Sequence, residues 1–486
     1  MSKQPILIKV LVYGIFILIS HTTSAQIQLH EVQKKMANLS AFSGFTTASM
    51  GMVVKDIQSG EILCSNSPQQ GIAPASVLKL ITTATALEIL GPDFRFQTTL
   101  TATGTLRNDT LFGDLQIIGQ GDPTLGSAYF PEDNHFLEDW TTALQQKHIR
   151  VITGKLVMDG SAYESQTIPN TWIWEDIGNY YGAGVSAINV YDNQYEVHLS
   201  SGKEAGTPTH IKNIIPEVPG LEMHNEVLSS TVNRDMAFIY GSPMELKRVI
   251  RGTIPKDRND FVVNGAVPDP AALLAHEFRK SLIGKGIEIK GETIYEKIIP
   301  QNGGVVLNSV YQSPALRDII KVTNYESVNL FAEGFLKQLA YQKTGIGSTT
   351  EGCKLITGYW KDKGMDMTGF YMCDGSGLSR FNVVTPTQMV NVLHYMKTQS
   401  KWSADFYNSL ATAGEGTITS FSSRDFPQQS LRAKSGSMTR VRCMAGYLTT
   451  KSGRQLSYAI LLNNFSCSQA ETVRRIEEVL MELRKL

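Results

Sequence analysis

Ser76-Val77-Leu78-Lys79 decides how this chain is read. The four residues open a stretch, 76–90, in which Leu80, Leu87 and Leu90 recur at helical spacing with Ala84 between them, and Gly91-Pro92 ends it. On a helix, residues i and i+3 share a face, so a serine at its start presents its hydroxyl beside the Lys79 ammonium. Serine becomes a nucleophile when an adjacent base takes its proton. Lysine serves as that base once its pKa falls from about 10.4 toward ~7, a change driven by burial or a second cation and equivalent to roughly 4 kcal/mol. Other residues must therefore converge on the pair. The tetrad alone is a weak signal. Ser200-Ser201-Gly202-Lys203 has the same spacing, but it lies in a glycine turn after a strand-like run and reads as a solvated turn.

Two further elements supply what the pair needs. Ser327-Val328-Asn329 precedes a long apolar helix pattern, Leu330, Phe331, Phe335, Leu336 and Leu339. Its serine suits proton relay and its asparagine suits orienting Lys79 and a substrate amide. Read in isolation, Ser327 is a helix cap. Lys434-Ser435-Gly436-Ser437 continues a strand-like run. A strand there lays its backbone along an extended peptide. Lys434 is placed to hold a carboxylate or depress the pKa of Lys79, Gly436 to allow close approach, and the N–H groups of Ser76 and Ser437 to form an oxyanion hole. Lys343-Thr344-Gly345 and Lys451-Ser452-Gly453 share the Lys-x-Gly pattern but read as a helix C-terminus and a hairpin tip.

Around these motifs the chain changes character twice. The runs 49–54 and 61–64 flank the turn chemistry of Asp56 to Gly60 and predict a hairpin, and Leu29 to Leu39 predicts a short helix. From Thr98 to about Asn264 short β-like runs alternate with Gly, Asp, Asn and Pro turns. Leu274, Phe278 and Leu282 then mark a helix. Cys443 to Thr449 and Leu456 to Leu462 predict strands, and Val473, Ile476, Leu480 and Leu483 mark one face of a closing helix over 468–486. A sheet built from both chain ends, with the middle inserted, follows from this order.

At the N-terminus Lys3 and Lys9 precede the apolar run Val10 to Ile19, and Thr23-Ser24-Ala25 offers a small-residue cleavage site. That order predicts a secretory signal peptide over 1–25. The run is roughly 10 residues, against the roughly 20 that a bilayer span needs. Lys+Arg and Asp+Glu are both 45, so the basic excess of a nucleic-acid binder is missing. Five cysteines without CxxC spacing exclude a disulfide-stapled scaffold, although a Cys443–Cys467 bridge stays open. The nine histidines form neither HExxH nor HxxxH, so no metal site is expected.

In this order the three elements resemble those of the serine penicillin-recognising enzymes, Ser-x-x-Lys, Ser-Asp-Asn and Lys-Thr-Gly. Ser435 replaces the threonine and Val328 the aspartate of that pattern. About half of the chain separates Ser76 from Ser327. This large insertion is similar to that of the D-alanyl-D-alanine carboxypeptidase/endopeptidase family, the type-4, low-molecular-mass penicillin-binding proteins. The stretches 119–125, 181–189 and 374–380, with Gly416-Thr417, also resemble that family.

The resemblance implies an α/β (α+β) transpeptidase/β-lactamase-like domain, a central antiparallel sheet flanked by helices, with two inserted mainly-β domains. The catalytic domain is expected over 26–98 and 268–486, the first insertion over 99–125 and 200–267, and a nested one over 126–199. It implies Ser76, Lys79, Ser327, Asn329 and Lys434 as catalytic residues, and Ser435, Gly436 and Ser437 as substrate-binding residues. An acidic residue of the insert reads the amino end of a diaminopimelate side chain in that family, and Asp176 stands nearest to it. Arg380 and Met438 resemble residues of the same pocket. No cofactor is implied. The expected partners are peptidoglycan peptides ending in D-Ala-D-Ala and, as covalent inhibitors, β-lactams, in the periplasm. A homodimer is compatible with the sequence, which leaves the oligomeric state open. A β-lactamase or esterase with the same catalytic set, and a non-catalytic wall-binding protein, are the alternatives. No glutamate is placed by motif as a deacylation base, and all of Ser76, Lys79 and Lys434 are present.

Overall fold

The computed structural model describes residues 28–298 and 304–486, so the expected signal peptide lies outside the described residues. The chain divides into two compact units. Among the described residues, one comprises 28–81, 360–371 and 382–486, and the other 82–298, 304–359 and 372–381.

The first unit is built on a six-stranded antiparallel sheet. Its strands run in the order Ala411–Thr412, Leu431–Met438, Val441–Thr449, Gln455–Asn463, Ser49–Asp56 and Ile62–Asn66. The first strand of the chain thus pairs with the last, Ser49 opposite Asn463. The expected hairpin forms because Asp56 Oδ1 accepts from the Gln58 and Ser59 amides at 2.9 and 2.8 Å, an Asx turn that reverses the chain. In the strand Gln455–Asn463 every residue from Leu456 to Leu462 is buried. Successive side chains point to opposite faces, so both faces of the sheet are covered. The helix Pro386–Thr398 packs on this strand and on Ser49–Asp56, and the helix Gln469–Leu483 packs on Val441–Thr449. Both helices are capped by their sequence. Thr385 and Gln388 form a capping box ahead of Pro386, and Ser468 Oγ accepts from the Glu471 amide at 3.1 Å.

The second unit is mainly β in its middle. A seven-stranded sheet is centred on Gln97–Arg107 and Thr110–Gly119, and two three-stranded sheets use residues between 194 and 266. The helices Phe136–Gln146 and Pro270–Gly284 share one core through Phe136, Trp140, Leu274, Phe278 and Leu282. The helix Asn329–Thr344 is buried along 330–340, and it takes Glu333 and Lys337 inside with it.

Candidate active site

Ser76 does not lie on an α-helix. It sits on the 3-10 turn Ala75–Leu78, and the α-helix begins at Lys79. In a 3-10 turn positions i and i+3 eclipse. Ser76 Oγ and Lys79 Nζ consequently meet at 3.1 Å, with Lys79 fully buried and Ser76 half-buried. The turn is entered through Ala75, a buried non-glycine residue held at φ 46°, a left-handed conformation that costs of order 1–3 kcal/mol. Backbone strain directly before a serine is a feature of sites that must aim a side chain.

The strand Leu431–Met438 lies against this turn. A Cβ on Gly436 would stand 2.7 Å from the Ser76 nitrogen and 2.9 Å from Pro74 O and Val77 N. All three atoms are backbone, so the absence of a side chain is what lets the turn seat. Lys434 is two residues away on the same strand face and is fully buried, its Nζ donating to Ser435 O at 2.7 Å. Ser435 points the other way, and its Oγ donates to Thr417 O at 2.7 Å. The Ser435 amide also meets Thr417 Oγ1, at 3.4 Å. Since amides alternate between strand edges, the Ser437 amide is on that same edge. The neighbouring strand, Ala411–Thr412, pairs only with Arg432 and Ala433, so the edge beyond them is left open, and Ser437 is exposed. Met438 ends the strand, half-buried. Opposite Gly436 in register is Cys443, whose thiol donates to Ala73 O at 3.5 Å and so backs the turn. Burial pushes that thiol up to about 12. All five cysteines are free, so Cys443 and Cys467 are not bridged.

Ser327, Asn329, Asp176 and Arg380 belong to the second unit and come together there. Ser327 is the left-handed joint, φ 67°, between the helices Leu316–Glu326 and Asn329–Thr344. Asn329 Nδ2 donates to Tyr181 O at 2.7 Å. The Tyr181 phenol in turn lies beside the Asp176 side chain and favours its charged form. Burial raises the Asp176 carboxyl above the usual range, and Tyr181 and the nearby Arg380 charge oppose that rise. The 176–182 turn closes tightly: a Cβ on Gly182 would lie 2.1 Å from Asp176 O.

Arg380 is carried by the stretch 374–380. Asp374 accepts from Trp172 Nε1 at 2.8 Å and from the Gly377 and Ser379 amides at 2.8 and 2.6 Å. Glu333 accepts from the Gly375 amide at 3.0 Å and the Ser376 amide at 2.7 Å. Burial, then the Asp374 charge, pushes Glu333 up to about 7. Thr82 Oγ1 donates to Gly375 O at 2.7 Å, which ties the stretch to the helix Lys79–Leu90. The stretches 119–125 and 181–189 also meet, through the bridge Asp122–Ile188 and an Asn189 Nδ2 bond to Asp122 O at 3.1 Å.

The family model for the D-Ala-D-Ala carboxypeptidase 3 (S13) family matches residues 32–483. The chain belongs to that family. It is 27% identical over 432 residues to a D-alanyl-D-alanine carboxypeptidase of an Actinomadura species, covering 86% of this chain and 78% of the relative. It is 25% identical to the D-alanyl-D-alanine carboxypeptidase DacB of Haemophilus influenzae, over 87% of each chain. The crystal structure of penicillin binding protein 4 from Haemophilus influenzae superposes with a TM-score of 0.79 at 23% identity, over 93% of this chain and 99% of that one. The same Haemophilus protein has been solved complexed with a β-lactam. The present chain is thus a serine-type D-Ala-D-Ala carboxypeptidase with the penicillin-binding fold.

Within this S13 carboxypeptidase the competing motifs fall away. Lys343-Thr344-Gly345 ends a helix, Gly345 taking φ 80° and donating to Tyr341 O. Lys451-Ser452-Gly453 is the tip between the strands Val441–Thr449 and Gln455–Asn463. Ser200 and Ser201 end a strand. Four residues have a place in these arrangements that the sequence did not signal by motif: Ala75 and Thr417 in the first unit, and Tyr181 and Glu333 in the second. Tyr181 and Thr417 lay in stretches that resembled the family. Glu333 had its own signal, a carboxylate inside an apolar helix pattern.

Proposed function

We propose that the chain hydrolyses the D-alanyl-D-alanine ends, and the D-alanyl cross-links, of peptidoglycan stem peptides through an acyl-enzyme on Ser76. The 3.1 Å approach of Lys79 Nζ to Ser76 Oγ, on a turn seated against Gly436, carries this reading. Lys79 takes the hydroxyl proton as Ser76 Oγ attacks the carbonyl of the penultimate D-Ala. The amides of Ser76 and Ser437 receive the oxyanion, and the substrate lies along the open edge of 434–438 with its carboxylate toward Lys434. Ser327 passes a proton to the departing D-Ala and Asn329 orients Lys79 and the substrate amide, an assignment that rests on the motif order. Water then releases the acyl group. A β-lactam acylates Ser76 by the same route and leaves slowly.

Asp176, supported by Tyr181 and Arg380, reads the amine of a diaminopimelate side chain, and Met438 contributes to substrate binding, a role that rests on the family resemblance. The leader over 1–25 sends the enzyme to the periplasm. Among the described residues no helix is long and apolar enough to cross a membrane.

The test is the intact mass of the mature protein after brief exposure to benzylpenicillin, beside Ser76→Ala. A lasting increase of one penicillin, absent from the variant, supports the acyl-enzyme. Destruction of the drug without an adduct favours a β-lactamase, and an intact drug without an adduct a non-catalytic wall binder.

A further inference from the structure

Behind the strand Leu431–Met438, in the first unit, lies a cavity of about 330 Å³ bordered by Ser430, Arg432, Lys451 and Arg484. This volume is at the small end of the range for ligand sites. Three of its lining side chains are cationic, and none is a carboxylate. Such a concentration of one sign is unfavourable unless an anion balances it. The crowding extends to Lys397. Its Nζ lies 3.7 Å from the centre of the Tyr407 ring, with the Arg432 guanidinium 4.9 Å from the same ring. Burial and then the Arg432 charge lower the Lys397 pKa.

Two of the lining residues each carry an unsatisfied polar atom. Arg484 Nε and Ser430 Oγ are buried and have no hydrogen-bond partner among the described residues. Buried donors without partners are uncommon in folded proteins and point to something that completes them. Ser430 is also fixed by its backbone, its carbonyl accepting from the Thr449 amide at 2.7 Å. Arg432 is fixed too, donating to Leu410 O at 3.4 Å and to Gln429. Ser430 and Arg432 thus sit on a preformed frame, beside the exposed Lys451 of the hairpin tip. Guanidinium forks and a hydroxyl around one concavity match the tetrahedral oxygens of a phosphoryl group, and three cations exceed the charge of a single carboxylate.

We propose that this cavity binds a phosphoryl oxyanion, carried by a small molecule or by a lipid headgroup. The site is separate from Ser76 and Lys79, and nothing in the proposed hydrolysis uses it.

The test is calorimetric titration of the full-length mature protein with inorganic phosphate at low ionic strength, beside co-sedimentation with phosphatidylglycerol and phosphatidylcholine vesicles. Saturable phosphate binding is expected, weakened at least tenfold in Lys451→Gln and lost in the Arg432→Gln/Lys451→Gln double variant. Lys451 is exposed on a hairpin tip, so its replacement leaves the fold intact, and penicillin acylation of each variant verifies this. Sedimentation with phosphatidylglycerol alone, competed by phosphate, would assign the lipid source. Phosphate binding without sedimentation would assign the soluble one. The proposal is overturned if neither probe binds, or if the double variant binds both as the parent does.

Discussion

Asn329 Nδ2 donates to the carbonyl oxygen of Tyr181 at 2.7 Å. This bond joins the first residue of a buried helix to the 176–182 turn. The phenol of the same tyrosine lies beside Asp176 and lowers its pKa. One residue therefore connects the asparagine of the second motif with the carboxylate proposed to select the substrate. A change at Tyr181 should register in selectivity before it registers in acylation.

Tyr181→Phe provides that test. The phenol holds the Asp176 pKa down against burial, so its removal raises it. An amine is recognised by the ionised carboxylate, which is present above the Asp176 pKa. The acid limb of kcat/KM for peptides with a free diaminopimelate amine should therefore move to higher pH. Peptides lacking the amine should show no movement. An equal shift for both would remove Asp176 from amine recognition.

Gly436→Ala should disable the nucleophile without unfolding the sheet. The new methyl meets three backbone atoms of the Ser76 turn at 2.7–2.9 Å, none of which swings aside as a side chain would. Overpacking of this kind costs ~1–3 kcal/mol. A small displacement of a nucleophile lowers rate by about 10²-fold. Stopped-flow acylation by a chromogenic β-lactam and a thermal melt would report the two effects separately.

Glu333 should make the protein less stable as pH rises toward neutrality. Its folded pKa of about 7 lies above its ordinary value of 4.5, so the folded state holds the extra proton between them. Stability is then greatest below the unfolded pKa and declines as pH climbs through the folded one. Glu333→Gln should flatten this slope by up to about one proton, ~1.4 kcal/mol per pH unit, between roughly pH 5 and 7. Urea unfolding across that range measures it, and an unchanged slope would exclude Glu333 as its source.

Thiol labelling should divide the cysteines. Cys64 and Cys443 are buried with thiols pushed up to about 12, and burial likewise raises the Cys353 thiol well above its ordinary value. Cys373 and Cys467 are partly exposed. The thiolate is the reactive form. Iodoacetamide should therefore mark Cys373 and Cys467 in the native protein and reach the other three only in denaturant. Peptide mapping distinguishes the two sets.

Much of the first unit was legible in the sequence. The Asp56–Gly60 turn, the alternating and continuous apolar runs, and the spacing of Ile476, Leu480 and Leu483 each report a local preference that the fold keeps. The motif residues were legible for a related reason, since reacting groups must be of particular chemical types at particular spacings. Sequence alone determined which serine has a lysine one turn away and which Lys-x-Gly lies in a strand. Tertiary structure decided the rest. The 3-10 turn and the φ of Ala75 arise where Pro74, Ser76 and Val77 press on Gly436, a strand distant in sequence. The Asn329–Tyr181–Asp176 chain and the Glu333 bonds to Gly375 and Ser376 likewise join distant segments. Local pattern carries no information on such pairings, because their energy appears only when packing removes water from both partners.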